Sequence, residues 1–203
     1  METFDVLIIG GGAAGMSSAL LFGSAKNKPF AEGKNIGIIM HQKASALSSA
    51  LFNNVLGIKP GTVGKEILES GKKQLAETYP HVKQIEKEKV IKVEEKEDEV
   101  VVTTNKNTYT AKNIVVAVGP ANTFNIEGLT QFVEPHQKLP AEKNRIQLKN
   151  SDHQVTDKIY VAGVLAGHVS QLPIAMGSGA DVAATIMRKW NNNKPAMVHD
   201  SVG

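Results

Sequence analysis

Gly10, Gly12 and Gly15 follow an apolar run, Val6-Leu7-Ile8-Ile9, and precede a helix-forming stretch from Ala14 to about Ala25. Strand, tight turn and helix in that order can cradle the pyrophosphate of a dinucleotide. Gly10 lets the chain turn sharply out of the strand. Gly12 has no side chain, so a phosphate can approach the backbone. Gly15 lets the helix pack closely on the strand. The backbone N–H groups of Ala13 and Ala14, with the positive end of the helix dipole, then face the anion. The competing reading is a glycine-rich turn that binds nothing.

A second apolar strand, Ile36 to Met40, completes a βαβ unit. Such units usually end their second strand in an acid that grips the adenosine ribose. Here that place holds Met40, followed by His41, Gln42 and Lys43. Three readings stay open. His41 and Lys43 can take a 2′-phosphate, as in NADP. Gln42 or the backbone can hold the ribose of FAD more weakly. Or the site has lost its dinucleotide.

Other chemistries find little support. The 203 residues include no cysteine, which excludes a thiolate nucleophile, a thiolate metal site and a redox dithiol. His41, His81, His136, His153 and His199 show no metal-ligand spacing. The net charge is +3, carried almost wholly by lysines interleaved with glutamates. That pattern suits a solvated surface rather than a nucleic-acid interface. No apolar run reaches the length of a membrane span and the first residues lack the pattern of a signal peptide, so the expected setting is cytoplasmic.

The elements that must position the glycines follow from periodicity. A helix is expected from Thr62, as its cap, to about Tyr79. Lys89–Val93, Val100–Thr104 and Thr108–Lys112 read as an antiparallel meander. Ile114–Val118, closed by Gly119, reads as a strand buried on both faces. After a polar stretch with a short strand near Arg145–Leu148 come a strand over Lys158–Gly163 and a helix over Gln171–Trp190, capped by Ser170. The expected architecture is a Rossmann-like three-layer α/β fold, with a central parallel sheet and an antiparallel meander. It forms one domain over residues 1–203, with 196–203 as a frayed tail.

The order of these parts resembles the FAD-binding domain of thioredoxin reductase-like pyridine nucleotide–disulfide oxidoreductases. Asp5 to Gly15 is similar to that family's opening FAD fingerprint, and Asn53 to Gly57 to its Glu-Asn-x-x-Gly segment, with Asn54 in register. Ile114 to Gly119 resembles its Ala-Thr-Gly strand, and Ile159 to Gly163 its second FAD motif. The resemblance implies cofactor contacts at Gly10, Gly12, Ala13, Ala14, Gly15, Met40, His41, Gln42, Asn54, Val90, Gly119, Gly163, Val164, Gln171 and Leu172. It also implies that the backbone from Ser170 to Leu172 faces the flavin and stabilises the charge that grows there on reduction.

Three departures stand out. Residues 119–158 are too few for the family's inserted NADPH-binding unit and hold no second glycine fingerprint. The redox cysteines are missing. Val164 stands where the family has an aspartate. The expected function is a single-domain, FAD-dependent oxidoreductase with no disulfide chemistry of its own. It would take electrons from free NAD(P)H or a redox partner protein and pair as a homodimer. The alternative is a non-catalytic sensor, carrier or subunit that binds FAD or NADP. His168 is the one catalytic candidate, weighed against an ordinary loop histidine.

Overall fold

The computed structural model describes residues 1–41, 45 and 47–199. Its centre is β1 (Glu2–Ile9), followed by α1 (Ala13–Ser24) and β2 (Ile36–Met40). A small hairpin, β3 (Leu51–Phe52) with β4 (Thr62–Val63), leads into α2 (Gly64–Thr78) and β5 (Lys83–Glu86). The meander is β6 (Val90–Glu95), β7 (Val100–Thr104) and β8 (Thr108–Val116). A hairpin of β9 (Val133–Pro135) and β10 (Ile146–Leu148) precedes β11 (Ile159–Val161) and α3 (Leu172–Trp190).

The main sheet runs β5-β2-β1-β8-β7-β6, with β11 also paired to β8. Its parallel part is β5-β2-β1-β8-β11. The strand β8 lies along β1 for its whole length. On its other edge its first half pairs antiparallel with β7 and its second half parallel with β11. The expected three-layer fold with parallel sheet and meander is therefore present.

Val6 to Ile9 are almost wholly buried because both faces of the sheet are covered. Val6 and Ile8 pack on the helical side with Phe22, Val182, Ile186 and Met187. Leu7 and Ile9 pack on the other side with Ile39, Val116, Val161 and the meander residues Val93 and Val102. Between α1 and α3 the Ser18 hydroxyl donates to the Gly179 carbonyl. A Cβ at Gly179 would lie 1.9 Å from the Ala14 carbonyl oxygen, so the two helices meet backbone to backbone.

Glu88 anchors the meander. It is 6% exposed, and the Thr104 hydroxyl, the Asn107 amide and the Tyr109 hydroxyl all donate to its carboxylate. Burial pushes its pKa up, but these donors and Lys106 outweigh burial and hold it below the usual value.

Several local expectations are corrected. Thr62 does not cap α2; it pairs with Phe52, its hydroxyl donates to the Lys59 carbonyl, and Val63 is the N-cap. Ser170 does not cap α3; Gln171 takes that place without a side-chain bond. Thr108–Lys112 and Ile114–Val118 are not two strands. Asn113 pairs with Val6 inside a continuous ladder, and the strand ends at Val116. The edge strand β5 escaped notice because one buried Ile85 between charged and polar neighbours gives little periodicity.

Candidate functional site

The first glycine turn links β1 to α1 and is built by contact. Gly10 has φ +115°, and a Cβ there would lie 2.5 Å from the Ala117 carbonyl oxygen. At Gly15 a Cβ would lie 1.8 Å from the Gly10 carbonyl oxygen. Both places admit glycine alone. Gly12 differs: among the described residues beyond its chain neighbours no atom lies within 4 Å of its missing Cβ, and its φ of −79° suits any residue. A side chain is absent where no described residue excludes one on steric grounds. That open space lies at the N-terminus of α1, whose first turn holds no acid and no side-chain cap. The first N–H groups of a helix have no partner within it, and here they are set for an anion. The residues present therefore fit a dinucleotide pyrophosphate.

Ala13 and Ala14 begin α1, one residue earlier than the sequence suggests. A cavity of about 110 Å³ opens beside them, lined by Gly12, Ala13, Met16, Ile67, Leu68 and Met176. Gly163 brings in the second turn. Its φ is +75°, and a Cβ there would meet the Ala14 Cβ at 3.0 Å. Gly119 comes three residues after the end of β8, with no described residue near its Cβ position.

The second turn, residues 163–166, is supported by side chains. The Gly163 N–H donates to Ser178 Oγ at 2.8 Å. His136 Nε2 lies 3.0 Å from the Val164 carbonyl oxygen, and Asn150 Nδ2 lies 3.3 Å from that of Ala166. Val164 is half-buried and brings no charge to the turn. Beyond it, Gln171 is exposed at the N-terminus of α3 and Leu172 is buried.

Other candidates stand apart. The Met40 side chain is 1% exposed and belongs to the core on the helical side, so it is packing rather than a ribose contact. His41 is exposed just past β2. Gln42 and Lys43 lie outside the described residues. Asn54 is exposed in a bend, whereas its neighbour Asn53 closes the loop by accepting the Gly61 N–H at 2.8 Å. Val90 is buried with Ile39 and Ile85.

His168 lies on the path from Gly163 to α3, half-buried, with its ring centroid 5.1 Å from that of His153. His153 is 8% exposed and has a positive φ of 69°. Its Nδ1 lies 3.0 Å from the Val161 carbonyl oxygen, and its Nε2 lies 3.5 Å from an Asp181 carboxylate oxygen. Burial first, then His153, Lys138 and His136, lower the pKa of His168 against the opposite pull of Asp181. Sequence reading singled out His168 but missed His153, His136, Asn150 and Ser178. They come from distant segments, and no local spacing announces them. Among the described residues no group of three or more His, Asp or Glu is placed to hold a metal ion. Among them, too, no helix is long and apolar enough to cross a membrane.

The comparisons agree with this geometry. No curated protein matches the sequence. A thioredoxin reductase from Gloeobacter violaceus aligns with TM-score 0.73 at 14% identity, over 100% of this chain and 99% of that one. An oxidoreductase from Agrobacterium tumefaciens gives 0.71 at 16%, over 96% and 100%. A ferredoxin-flavin thioredoxin reductase from Clostridium acetobutylicum gives 0.70 at 17%, over 95% and 99%. At such identities these likenesses show the fold. The family model for pyridine nucleotide-disulphide oxidoreductases matches residues 4–180, and the chain belongs to that family.

Proposed function

We propose that the chain is an FAD-dependent oxidoreductase domain that passes electrons from free NAD(P)H, or from a redox partner protein, to an acceptor that meets the flavin directly. The observation that carries this reading is Gly12: among the described residues, its Cβ position is unfilled and the helix it opens has no side-chain cap, and it stands between two glycines that sterics require. FAD, when bound, supplies a two-electron acceptor. The turn at Gly10–Gly15 holds its pyrophosphate. The N-terminus of α3, with no acid in its first turn, stabilises negative charge placed against it. The turn at Gly163 contributes backbone alone, because Val164 has no carboxylate. Without a cysteine, this chain carries no dithiol, so any disulfide reduced belongs to another molecule.

Exposed Leu51, Leu56, Val169, Ile174 and Met176 leave apolar surface that a second copy can cover, and a homodimer in a cytoplasmic setting is part of this reading. Sedimentation of the purified protein tests the dimer.

The deciding experiment records the visible spectrum of the purified chain, then identifies what denaturation releases. A yellow protein that bleaches with NADH or NADPH without oxygen supports the enzyme. A colourless protein that FAD cannot reconstitute overturns it. One observation favours a second reading, a non-catalytic protein that binds NADP. The exposed residue after β2 is His41 rather than an acid, which suits a 2′-phosphate. Tighter binding of NADP than of FAD would select it.

A further inference from the structure

Val164 brings no carboxylate to the second turn, so what residue 164 offers a dinucleotide comes from its backbone. The aim of that backbone is then set by what holds the turn. Two donors converge on the Val164 carbonyl: the Gly167 N–H at 3.0 Å and the His136 ring at 3.0 Å. The carbonyl can only accept, so Nε2 of His136 carries the proton. The other ring nitrogen, Nδ1, accepts the Lys138 N–H at 3.1 Å. Both nitrogens are committed, and together they select the neutral Nε2–H tautomer.

His136 is 7% exposed and comes from the segment just after β9, twenty-eight positions from Val164. The β9–β10 hairpin fixes it: its own N–H donates to the Arg145 carbonyl at 2.9 Å, and Gln147 donates to Glu134 at 2.7 Å. A buried imidazole with both ring nitrogens assigned thus joins the hairpin to one carbonyl of the second turn.

We propose that His136 is a positioning residue of the dinucleotide site, holding the peptide at Val164 in its binding orientation through an Nε2–H hydrogen bond. Metal-site ligands are often aligned by outer hydrogen bonds of this kind, and their loss weakens binding without removing a contact to the ligand. This inference rests on the functional reading above, that the glycine turns bind a dinucleotide.

The test uses the full chain with FAD as the probe. In His136→Leu the ring's bulk is roughly kept and the donor is lost. In His136→Gln a side-chain amide can donate toward the same carbonyl. FAD affinity falls by about tenfold in His136→Leu, the size of one lost hydrogen bond to a buried group, and recovers to within about threefold of wild type in His136→Gln. Thermal melts confirm that both are folded. In cofactor-free wild type, ring nitrogen shifts report the Nε2–H tautomer, and the Gly167 amide exchanges faster in His136→Leu.

A folded His136→Leu that binds FAD as tightly as wild type overturns the proposal. So does an Nδ1–H tautomer in the wild type, a result available even if neither variant folds. A wild-type chain that binds neither FAD nor NADP overturns the functional reading instead, so the two failures are told apart.

Discussion

The two glycine turns of the site reach similar ends by different means. The first, Gly10 to Gly15, is made of backbone against backbone: Gly10 on Ala117, Gly15 on Gly10, and Ala14 beside Gly179. The second, at Gly163, has one glycine and leans on Ser178, His136 and Asn150. A turn held by its own sterics breaks when an atom is added. A turn held by borrowed side chains breaks when an atom is taken away.

The largest effect should come from adding an atom to the first turn. Gly15→Ala places a Cβ 1.8 Å from a carbonyl oxygen with no flexible neighbour to yield. It should cost about 3 kcal/mol, read by chemical denaturation. Ser178→Ala on the second turn should cost about 1–2 kcal/mol, because the Gly163 N–H loses its acceptor. If the order of these two were reversed, the contrast would fail.

Gly12→Ala sharpens the same contrast from the ligand side. Its Cβ meets no described residue, so stability should stay within about 0.5 kcal/mol. FAD affinity should nevertheless fall by about tenfold or more, since the methyl group occupies the phosphate's approach. Equal affinity for both proteins would mean that the pyrophosphate sits elsewhere. Val164→Asp should tighten FAD binding by adding a carboxylate to the second turn, read by fluorescence titration.

The smallest effect concerns acid. His168 has a lowered pKa in the folded state, so below its ordinary value near 6.5 the unfolded chain binds the proton more readily. Its contribution is intact above that value and is lost as pH falls through the folded pKa. His168→Asn should therefore lose less stability than wild type on going from neutral to mildly acidic pH. Thermal melts across that range check the sign.

The contrast also explains what the sequence disclosed. Gly10, Gly12 and Gly15 lie within six residues between a strand and a helix, so spacing alone revealed the first turn. The buried strands at Val6, Ile36 and Ile114 were equally plain, because burial on both faces leaves unbroken apolar runs. The second turn was half legible: Gly163 follows a strand, but its supports sit at 136, 150 and 178, joined to it only by the fold. Met40 misled because position suggested a ligand contact, while the pleat turned its side chain into the core. Thr62 and Ser170 were expected as caps on residue type, yet Val63 and Gln171 stand there, and neither helix start has a side-chain cap bond.

The shared edge of β8 has a further consequence, for the fold's history rather than its chemistry. The chain leaves this strand at Val116 and returns at Ile159, which pairs with Ile114 only two rungs back. Departure and return are thus neighbours on one ladder, and the strand order does not depend on what fills the interval. Such a seam lets the segment between two hydrogen-bonded strands change in length without changing their order, although Ile126, Leu129 and Leu148 of that segment are part of the core here.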